Sequence, residues 1–193
     1  MRRSIVLTAV IVIVAATAVG VYFLTSQGEV DNPEELISDV ELRFTLESPS
    51  FVDGAPIPSM YSHEAGDLSP PLSWSGAPED AACFVLIVYD PDAPGGIFYH
   101  WLLYDIPADL DGLPSGVPHE ETTAYGVQGR NDYGTIGYGG PYPPTGEEHR
   151  YVFLLLALDR ELGLSPGSTA KQVLNACVGH VIAYAKLVGT YSR

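Results

Sequence analysis

Positive charge is scarce in this sequence. Nine Lys and Arg residues stand against 24 Asp and Glu, which gives a formal net charge of −15. Lysine occurs only as Lys171 and Lys186. So acidic a chain repels the phosphate backbone of nucleic acids and anionic lipid surfaces at long range. We therefore exclude nucleic acid as a partner, although a local pocket can still hold one small anion.

Cysteine is equally rare. The two cysteines, Cys83 and Cys177, have no CxxC partner, so no cysteine metal site is predicted. An exported protein could pair them in a disulfide. Each lies in an apolar run, however, and free thiols in such runs are usually buried. We therefore interpret them as two buried free thiols, with a disulfide as the alternative.

Charge is absent from residues 4–24, a 21-residue stretch that follows Arg2 and Arg3. This length can span a bilayer as a helix, and the positive flank is expected to stay in the cytoplasm. The run continues past the small residues 16–18, which favours an uncleaved anchor, although cleavage there would make it a signal peptide. Residues 1–25 are therefore a signal anchor or signal peptide. The protein is expected to be membrane-anchored with its domain outside the cytoplasm, or secreted after cleavage.

The remaining chain has the composition of a turn-rich β protein, with 20 Gly, 16 Pro and 12 Tyr. Residues 26–40 are polar and acidic, and we interpret them as a linker; one domain is predicted over 41–193. No repeats are visible. Apolar runs, either alternating or continuous, predict strands, and these cover 41–48, 83–89, 98–106, 151–158 and 180–191.

Helical spacing predicts a short helix over 169–177, with Ser168 placed to cap it. Residues 125–144 are rich in Gly, Tyr and Pro and show little periodicity. A loop of this length inside a domain is usually functional or disordered. The predicted fold is mostly β, with one or two short helices.

Polar side chains follow or begin three of the predicted strands. Asp90 and Asp92 come directly after the first long strand and are separated by Pro91. They could face one way if the chain stays extended there. His100 lies near the start of the next strand, and His149 and Tyr151 share one face of the third. These side chains would meet if the three strands are neighbours.

Other interpretations remain open on spacing alone. Asp90 and Asp92 could form only a polar turn, and a single histidine at a strand start is more often structural. Two aspartates with His100 and His149 could also bind Zn²⁺ or Mn²⁺, as in a metal-dependent hydrolase. No serine nucleophile motif such as G-x-S-x-G accompanies them.

Several longer motifs, in order, resemble the phosphatidylethanolamine-binding protein family, and most closely its prokaryotic, Raf kinase inhibitor-like branch. The resemblance extends from about Phe44 to Arg193. It is carried by Ser-Pro-Pro-Leu-Ser-Trp at 69–74, Asp-Pro-Asp-Ala-Pro followed by His-Trp-Leu-Leu-Tyr-Asp-Ile-Pro within 90–107, Tyr-Gly-Gly-Pro-Tyr-Pro-Pro-Thr-Gly followed by His-Arg-Tyr-Val-Phe within 138–153, and Leu-Val-Gly-Thr-Tyr at 187–191.

The resemblance implies a central antiparallel or mixed β-sheet, a second small sheet and a few short helices. It also implies a pocket for a small anion such as phosphate or a phosphoethanolamine headgroup. Carried over position by position, the pocket residues are Asp90, Asp92, His100, Gly140, Pro141, Pro144, His149 and Tyr151. The aspartates would orient the histidines and raise their pKa, which favours anion binding at mildly acidic pH.

We therefore expect a non-catalytic binding protein without a cofactor or a bound metal. Its expected partners are a small anionic ligand or a phospholipid headgroup, the membrane through its N-terminal segment, and a second copy of the chain in a homodimer. The alternative is an inhibitor or regulator of a protease or kinase that uses the pocket rim. A metal-dependent hydrolase is the third hypothesis.

Overall fold

The computed structural model of the protein describes residues 29–41 and 43–193. Nine strands are present in this part of the chain: β1 (Thr45–Glu47), β2 (Leu72–Ser75), β3 (Cys83–Asp90), β4 (Phe98–Pro107), β5 (Gly112–Leu113), β6 (Thr122–Thr123), β7 (Gly126–Gln128), β8 (Glu148–Leu158) and β9 (Val181–Ser192). One α-helix, α1 (Ala170–Cys177), and three short 3₁₀ helices, Pro33–Ile37, Ser59–Tyr61 and His63–Ala65, complete the described elements.

The strands form two antiparallel sheets. The large sheet has the order β6-β7-β4-β3-β8-β9, and the small sheet has the order β1-β2-β5. The predicted architecture of a central sheet, a second small sheet and a few short helices is confirmed, and the central sheet is antiparallel.

The long strands are continuously apolar because both faces of the large sheet are covered. Along β3, Phe84, Leu86 and Val88 belong to an inner cluster that also contains side chains of the small sheet. Val85, Ile87 and Tyr89 belong to an outer cluster with α1. Every residue of β3 is buried, as expected for a strand between two apolar layers.

The predicted cap, Ser168, would start the helix at residue 169, whereas α1 begins at Ala170. Thr169, not Ser168, is the N-cap: its hydroxyl accepts the amide proton of Gln172, whose side chain accepts the Thr169 amide proton. This reciprocal arrangement is a capping box. Ser168 instead donates its hydroxyl proton to the Ser165 carbonyl at 2.8 Å, so the prediction for Ser168 is wrong.

Cys83 and Cys177 are buried and free. Burial raises the pKa of each thiol to about 12, so both stay protonated and unreactive at neutral pH. The interpretation as buried free thiols is confirmed, and the disulfide alternative is wrong.

The described part of the predicted linker, residues 29–40, lies against the outer face of the large sheet. Val30 and Ile37 are buried in the outer cluster. In the part of the chain that the structure describes, packed structure is therefore present from Val30 on, upstream of the boundary near residue 41 that the sequence suggests. Within the described residues, no helix is long and apolar enough to cross a membrane. The predicted anchor, 4–24, lies outside the described residues.

Candidate functional site

Three strand ends of the large sheet meet at one edge. In the antiparallel registers, Asp90 at the end of β3 pairs with Phe98 at the start of β4, and Tyr89 pairs with Val152 near the start of β8. The end of the central strand therefore lies beside the beginnings of both neighbours. This topology brings together the polar residues that the sequence places at three separate positions.

A cavity of about 340 Å³ opens at this edge. Five of the eight predicted pocket residues line it, namely Asp90, His100, Pro144, His149 and Tyr151. The remaining wall is formed by Ala93, Pro94, Phe98, Tyr133, Tyr142, Pro143 and Arg193.

Asp90 and His149 form a buried pair in the cavity wall. His149 Nδ1 lies 2.7 Å from Asp90 Oδ2, and both side chains are about 5% exposed or less. The other carboxylate oxygen, Oδ1, accepts the Asp92 amide proton at 2.8 Å. His149 Nε2 lies 3.3 Å from a carboxylate oxygen of Glu147, which is exposed. Burial alone would lower the pKa of His149, but hydrogen bonds to Asp90 and Glu147 outweigh it and raise the pKa.

His100 is held differently. Its Nδ1 donates a proton to the Gly139 carbonyl at 2.7 Å. Burial lowers the pKa of His100 to about 4, so this ring is neutral at physiological pH. The expectation that both histidines gain a raised pKa from the aspartates holds for His149 and is wrong for His100. With its proton on Nδ1, neutral His100 has Nε2 as a hydrogen-bond acceptor.

Tyr151 presents an unpartnered hydroxyl to the cavity. The residue is 1% exposed, and its buried hydroxyl oxygen has no hydrogen-bond partner in the described chain. Its ring packs edge-to-face on His100, with centroids 5.1 Å apart. Burial raises the pKa of Tyr151, so the hydroxyl keeps its proton. A buried polar group without a partner is costly, and a bound ligand would remove that cost.

Asp92 lies outside the cavity. Its carboxylate accepts two protons from the Arg150 guanidinium, at 2.6 and 2.9 Å, and a third from the Arg150 amide. These hydrogen bonds lower the pKa of Asp92. Strand β3 ends at Asp90, so the extended geometry needed for Asp90 and Asp92 to face one way does not continue. Successive residues of β8 point to opposite sides of the sheet. His149 therefore contacts Asp90 on one side, and Arg150 contacts Asp92 on the other.

Gly140 and Pro141 lie behind the cavity wall and shape it. The Gly140 amide donates to Asp67 Oδ1 at 2.7 Å, and the Pro141 carbonyl accepts the His63 amide proton at 3.1 Å. A Cβ on Gly140 would lie 2.4 Å from the Ser62 carbonyl carbon. Only glycine allows this close approach of two backbone segments.

The sequence analysis did not name seven of the cavity residues, namely Ala93, Pro94, Phe98, Tyr133, Tyr142, Pro143 and Arg193. Tyr133 and Tyr142 belong to the aperiodic loop 125–144, which was noted as functional or disordered without naming the aromatic residues. Arg193 lies at the cavity because β8 and β9 pair from Glu148↔Ser192 onward. Its guanidinium carbon lies 3.9 Å from the centroid of the Tyr142 ring, and Nη2 donates to Thr145 Oγ1 at 3.1 Å. No local sequence signal marks Arg193.

The metal-site hypothesis lacks a ligand set in the described chain. Among residues 29–41 and 43–193, no three His, Cys, Asp or Glu side chains form a group that could hold a metal ion. Asp92, one of the four residues that the hypothesis requires, is engaged by Arg150 instead.

Comparisons with known proteins agree on one family. A family model described as phosphatidylethanolamine-binding protein matches residues 47–192. A UPF0098 protein of Methanothermobacter thermautotrophicus is 48% identical over 149 residues, which cover 77% of this chain and 98% of the relative. A Mycobacterium tuberculosis protein with the name "Putative lipoprotein LppC" is 40% identical over 148 residues, covering 76% of this chain and 71% of the relative.

A solved structure shows the same fold. Escherichia coli YbcL, described as a new member of the mammalian PEBP family, matches with a TM-score of 0.73 and 34% identity. The match covers 78% of this chain and 98% of that one.

Proposed function

Because the chain belongs to the phosphatidylethanolamine-binding protein family, we propose that it is a non-catalytic binding protein whose cavity holds a small anionic group of the phosphate or phosphoethanolamine type. The observation that carries this proposal is the buried, unpartnered hydroxyl of Tyr151 in a cavity that also contains His149 and Arg193.

The proposed anion has three side-chain donors. Tyr151 supplies an O–H, protonated His149 supplies Nε2–H, and Arg193 supplies a fixed positive charge. The Glu147 carboxylate already lies 3.3 Å from His149 Nε2. Because Glu147 is exposed, a ligand phosphate oxygen could take its place on this nitrogen without opening the core.

The other cavity groups suit the rest of a headgroup. Phe98, Tyr133 and Tyr142 form an aromatic wall, and aromatic faces attract ammonium groups. Neutral His100 offers an acceptor nitrogen. Asp90 is committed to His149 and to the Asp92 amide, so its role in the proposal is to orient the histidine and favour its charged form.

The cavity lining supports binding rather than catalysis by an activated serine, threonine or cysteine. No serine, threonine or cysteine is among the residues that line it in the described chain. A rim function toward a protease or kinase stays an alternative prediction, for which Tyr142, 45% exposed at the cavity mouth, would be the natural contact.

Export and membrane attachment are part of the proposal. The uncharged stretch 4–24 after Arg2 and Arg3 has the length of a membrane span. The relative named as a lipoprotein supports attachment of this kind of domain to a membrane.

The test is His149→Ala, measured by calorimetric titration of phosphate and of phosphorylethanolamine into the full chain in detergent. Removing a charge-assisted hydrogen bond typically costs about 1.5–3 kcal/mol, so affinity should fall roughly ten- to a hundredfold. The melting temperature should fall as well, because removing His149 leaves the buried Asp90 carboxylate without its charged partner, so affinity is compared at a temperature at which the variant is folded.

The matched control is His180→Ala. His180 also pairs with an aspartate, Asp159, at 2.9 Å, but it does not line the cavity. Its removal should leave affinity unchanged. Equal binding by wild type and His149→Ala would show that the anion lies elsewhere and would refute the proposed site.

A further inference from the structure

The N-terminal segment 29–41 is attached to the outer face of the large sheet by charged contacts. Lys171 Nζ lies 2.5 Å from Glu29 Oε2, and Lys186 Nζ lies 2.8 and 2.9 Å from the two oxygens of Glu34. These are the only two lysines of the entire sequence. Both therefore contact this one segment.

Buried groups reinforce the charged contacts. Val30 and Ile37 are 9% and 7% exposed within the outer cluster. The Tyr99 hydroxyl donates to the Asp31 carbonyl at 2.9 Å, and the Tyr89 hydroxyl donates to Glu34. The Val30 amide donates to Asn175 of α1. Detachment would expose two apolar side chains and remove the partners of two tyrosine hydroxyls.

The family fold does not require this segment. The family model begins at residue 47, and the Methanothermobacter thermautotrophicus relative is covered over 98% of its length by an alignment that spans 77% of this chain. Residues 29–41 are thus an addition to the common domain. Their packing needs a reason other than completion of the fold.

We infer that residues 29–41 form a strap that holds the domain close to the bilayer, with the outer face of the large sheet toward the membrane and the cavity on the side away from it. This inference rests on the proposed membrane attachment through residues 4–24.

The strap shortens the connection between anchor and domain. A free linker over 26–40 would reach about 50 Å at full extension. With the strap in place, only residues 25–28 separate the uncharged stretch from Glu29, and five residue steps reach at most about 17 Å. The attachment point must therefore stay near the membrane surface.

The position of Glu29 decides which face is near the membrane. Glu29 contacts Lys171 on α1, and α1 packs on the outer face of the sheet. Tyr151 of the cavity belongs to the inner cluster, on the opposite face. A short connection at the outer face of the sheet therefore keeps the inner face away from the membrane. The cavity then takes its anionic group from the aqueous side, not from the bilayer of its own anchor.

Orientation can be measured with the full chain in phosphatidylcholine vesicles that contain a headgroup-attached quencher. One fluorophore is placed at Ser165→Cys, an exposed position beside the outer cluster, and another at Val52→Cys, which is 72% exposed beside the inner cluster. Cys83 and Cys177 are at most 1% exposed, so labelling is selective. Quenching should be several-fold stronger at position 165 than at position 52.

Charge reversal tests the strap itself. Lys171→Glu with Lys186→Glu should remove the difference between the two labels and speed amide hydrogen exchange in 29–41. Adding Glu29→Lys and Glu34→Lys to that variant should restore both in part, because the two ion pairs re-form with opposite polarity while the Tyr89 hydroxyl loses its acceptor at position 34. Arg160→Glu, an exposed charge change away from the strap, is the matched control and should change neither.

Two results would overturn the inference. Equal quenching at both positions in the wild type, or stronger quenching at position 52, would show that the domain is not oriented as inferred. Fast exchange throughout 29–41 in the wild type would show that the strap is not docked. Failure of the chain to float with vesicles would instead refute membrane attachment. The effect of His149→Ala on anion binding is a separate test, because it depends on neither the orientation of the domain, nor the docking of the strap, nor membrane attachment.

Discussion

His149 and His100 line the same cavity but differ in charge because their surroundings differ. Burial disfavours the charged form of both rings. At His149, hydrogen bonds to Asp90 and Glu147 outweigh burial and raise the pKa. At His100, burial dominates and lowers the pKa to about 4. The cavity therefore contains one histidine whose charged form is favoured by its partners and one that remains a neutral acceptor.

Anion affinity should consequently depend on pH through His149. The protonated ring is the form that attracts the anion, and its pKa lies above the ordinary value. Affinity should be highest below that raised pKa and should weaken as the pH rises through it. Calorimetric titration with dimethyl phosphate from about pH 5.5 to about pH 8.5 covers the range in which histidine changes charge. This ligand keeps a single charge throughout, so the change belongs to the protein.

The control for this profile is His149→Gln, which should bind more weakly and lose the pH dependence. His180→Gln should keep it. A profile that persists in His149→Gln would assign the titration to another group.

Four cavity residues were predictable from local sequence patterns, and Pro144 was predicted only through the family resemblance. Asp90, His100, His149 and Tyr151 adjoin long apolar strands, so their positions follow from strand pairing. Asp92 was misplaced because the strand ends before it, and Arg150, its partner, is remote in sequence. Arg193 and the aromatic wall depend on how loops and strand ends meet in three dimensions.

At the scale of elements, the long strands were predictable and the strap was not. Strands β3, β4 and β8 are apolar on both faces, a pattern that composition reveals directly. Residues 29–40 are polar and acidic, as in a flexible linker, and only Val30 and Ile37 indicate burial. The two lysines that hold the segment lie about 140–150 residues away, where no local pattern can connect them.

The segment 139–144 forms a wall of the cavity, and its position depends on Gly140. Gly140→Ala would bring a Cβ within 2.4–2.5 Å of backbone atoms of Tyr61, Ser62 and His63. Backbone atoms cannot move aside cheaply, so the wall must shift. We expect a loss of about 1–3 kcal/mol in unfolding free energy, typical of overpacking, together with weaker phosphate binding, both measurable by denaturant unfolding and calorimetry.

Gly95→Ala is the matched control for this substitution. Gly95 lies in the loop between β3 and β4, and an added Cβ there meets no atom within 4 Å. Its stability and affinity should match the wild type. A Gly140→Ala variant that is equally stable and binds equally well would contradict the role assigned to this wall.

At the scale of the whole molecule, the charge distribution of the N-terminal region predicts its topology. Arg2 and Arg3 should remain in the cytoplasm, so the domain should lie outside. Protease added to intact cells should cleave the domain while leaving a cytoplasmic marker protein undamaged. Protection of the domain until the cells are lysed would contradict this topology.

The concentration of both lysines at the strap has a practical consequence for chemical footprinting. Reagents that acylate primary amines can modify only Lys171, Lys186 and the N-terminal amine in this sequence. Both side-chain amines are engaged by Glu29 and Glu34, so their acylation rates should rise when the strap leaves the sheet. Mass spectrometry of two modified peptides would thus follow strap detachment in intact membranes, without any engineered label.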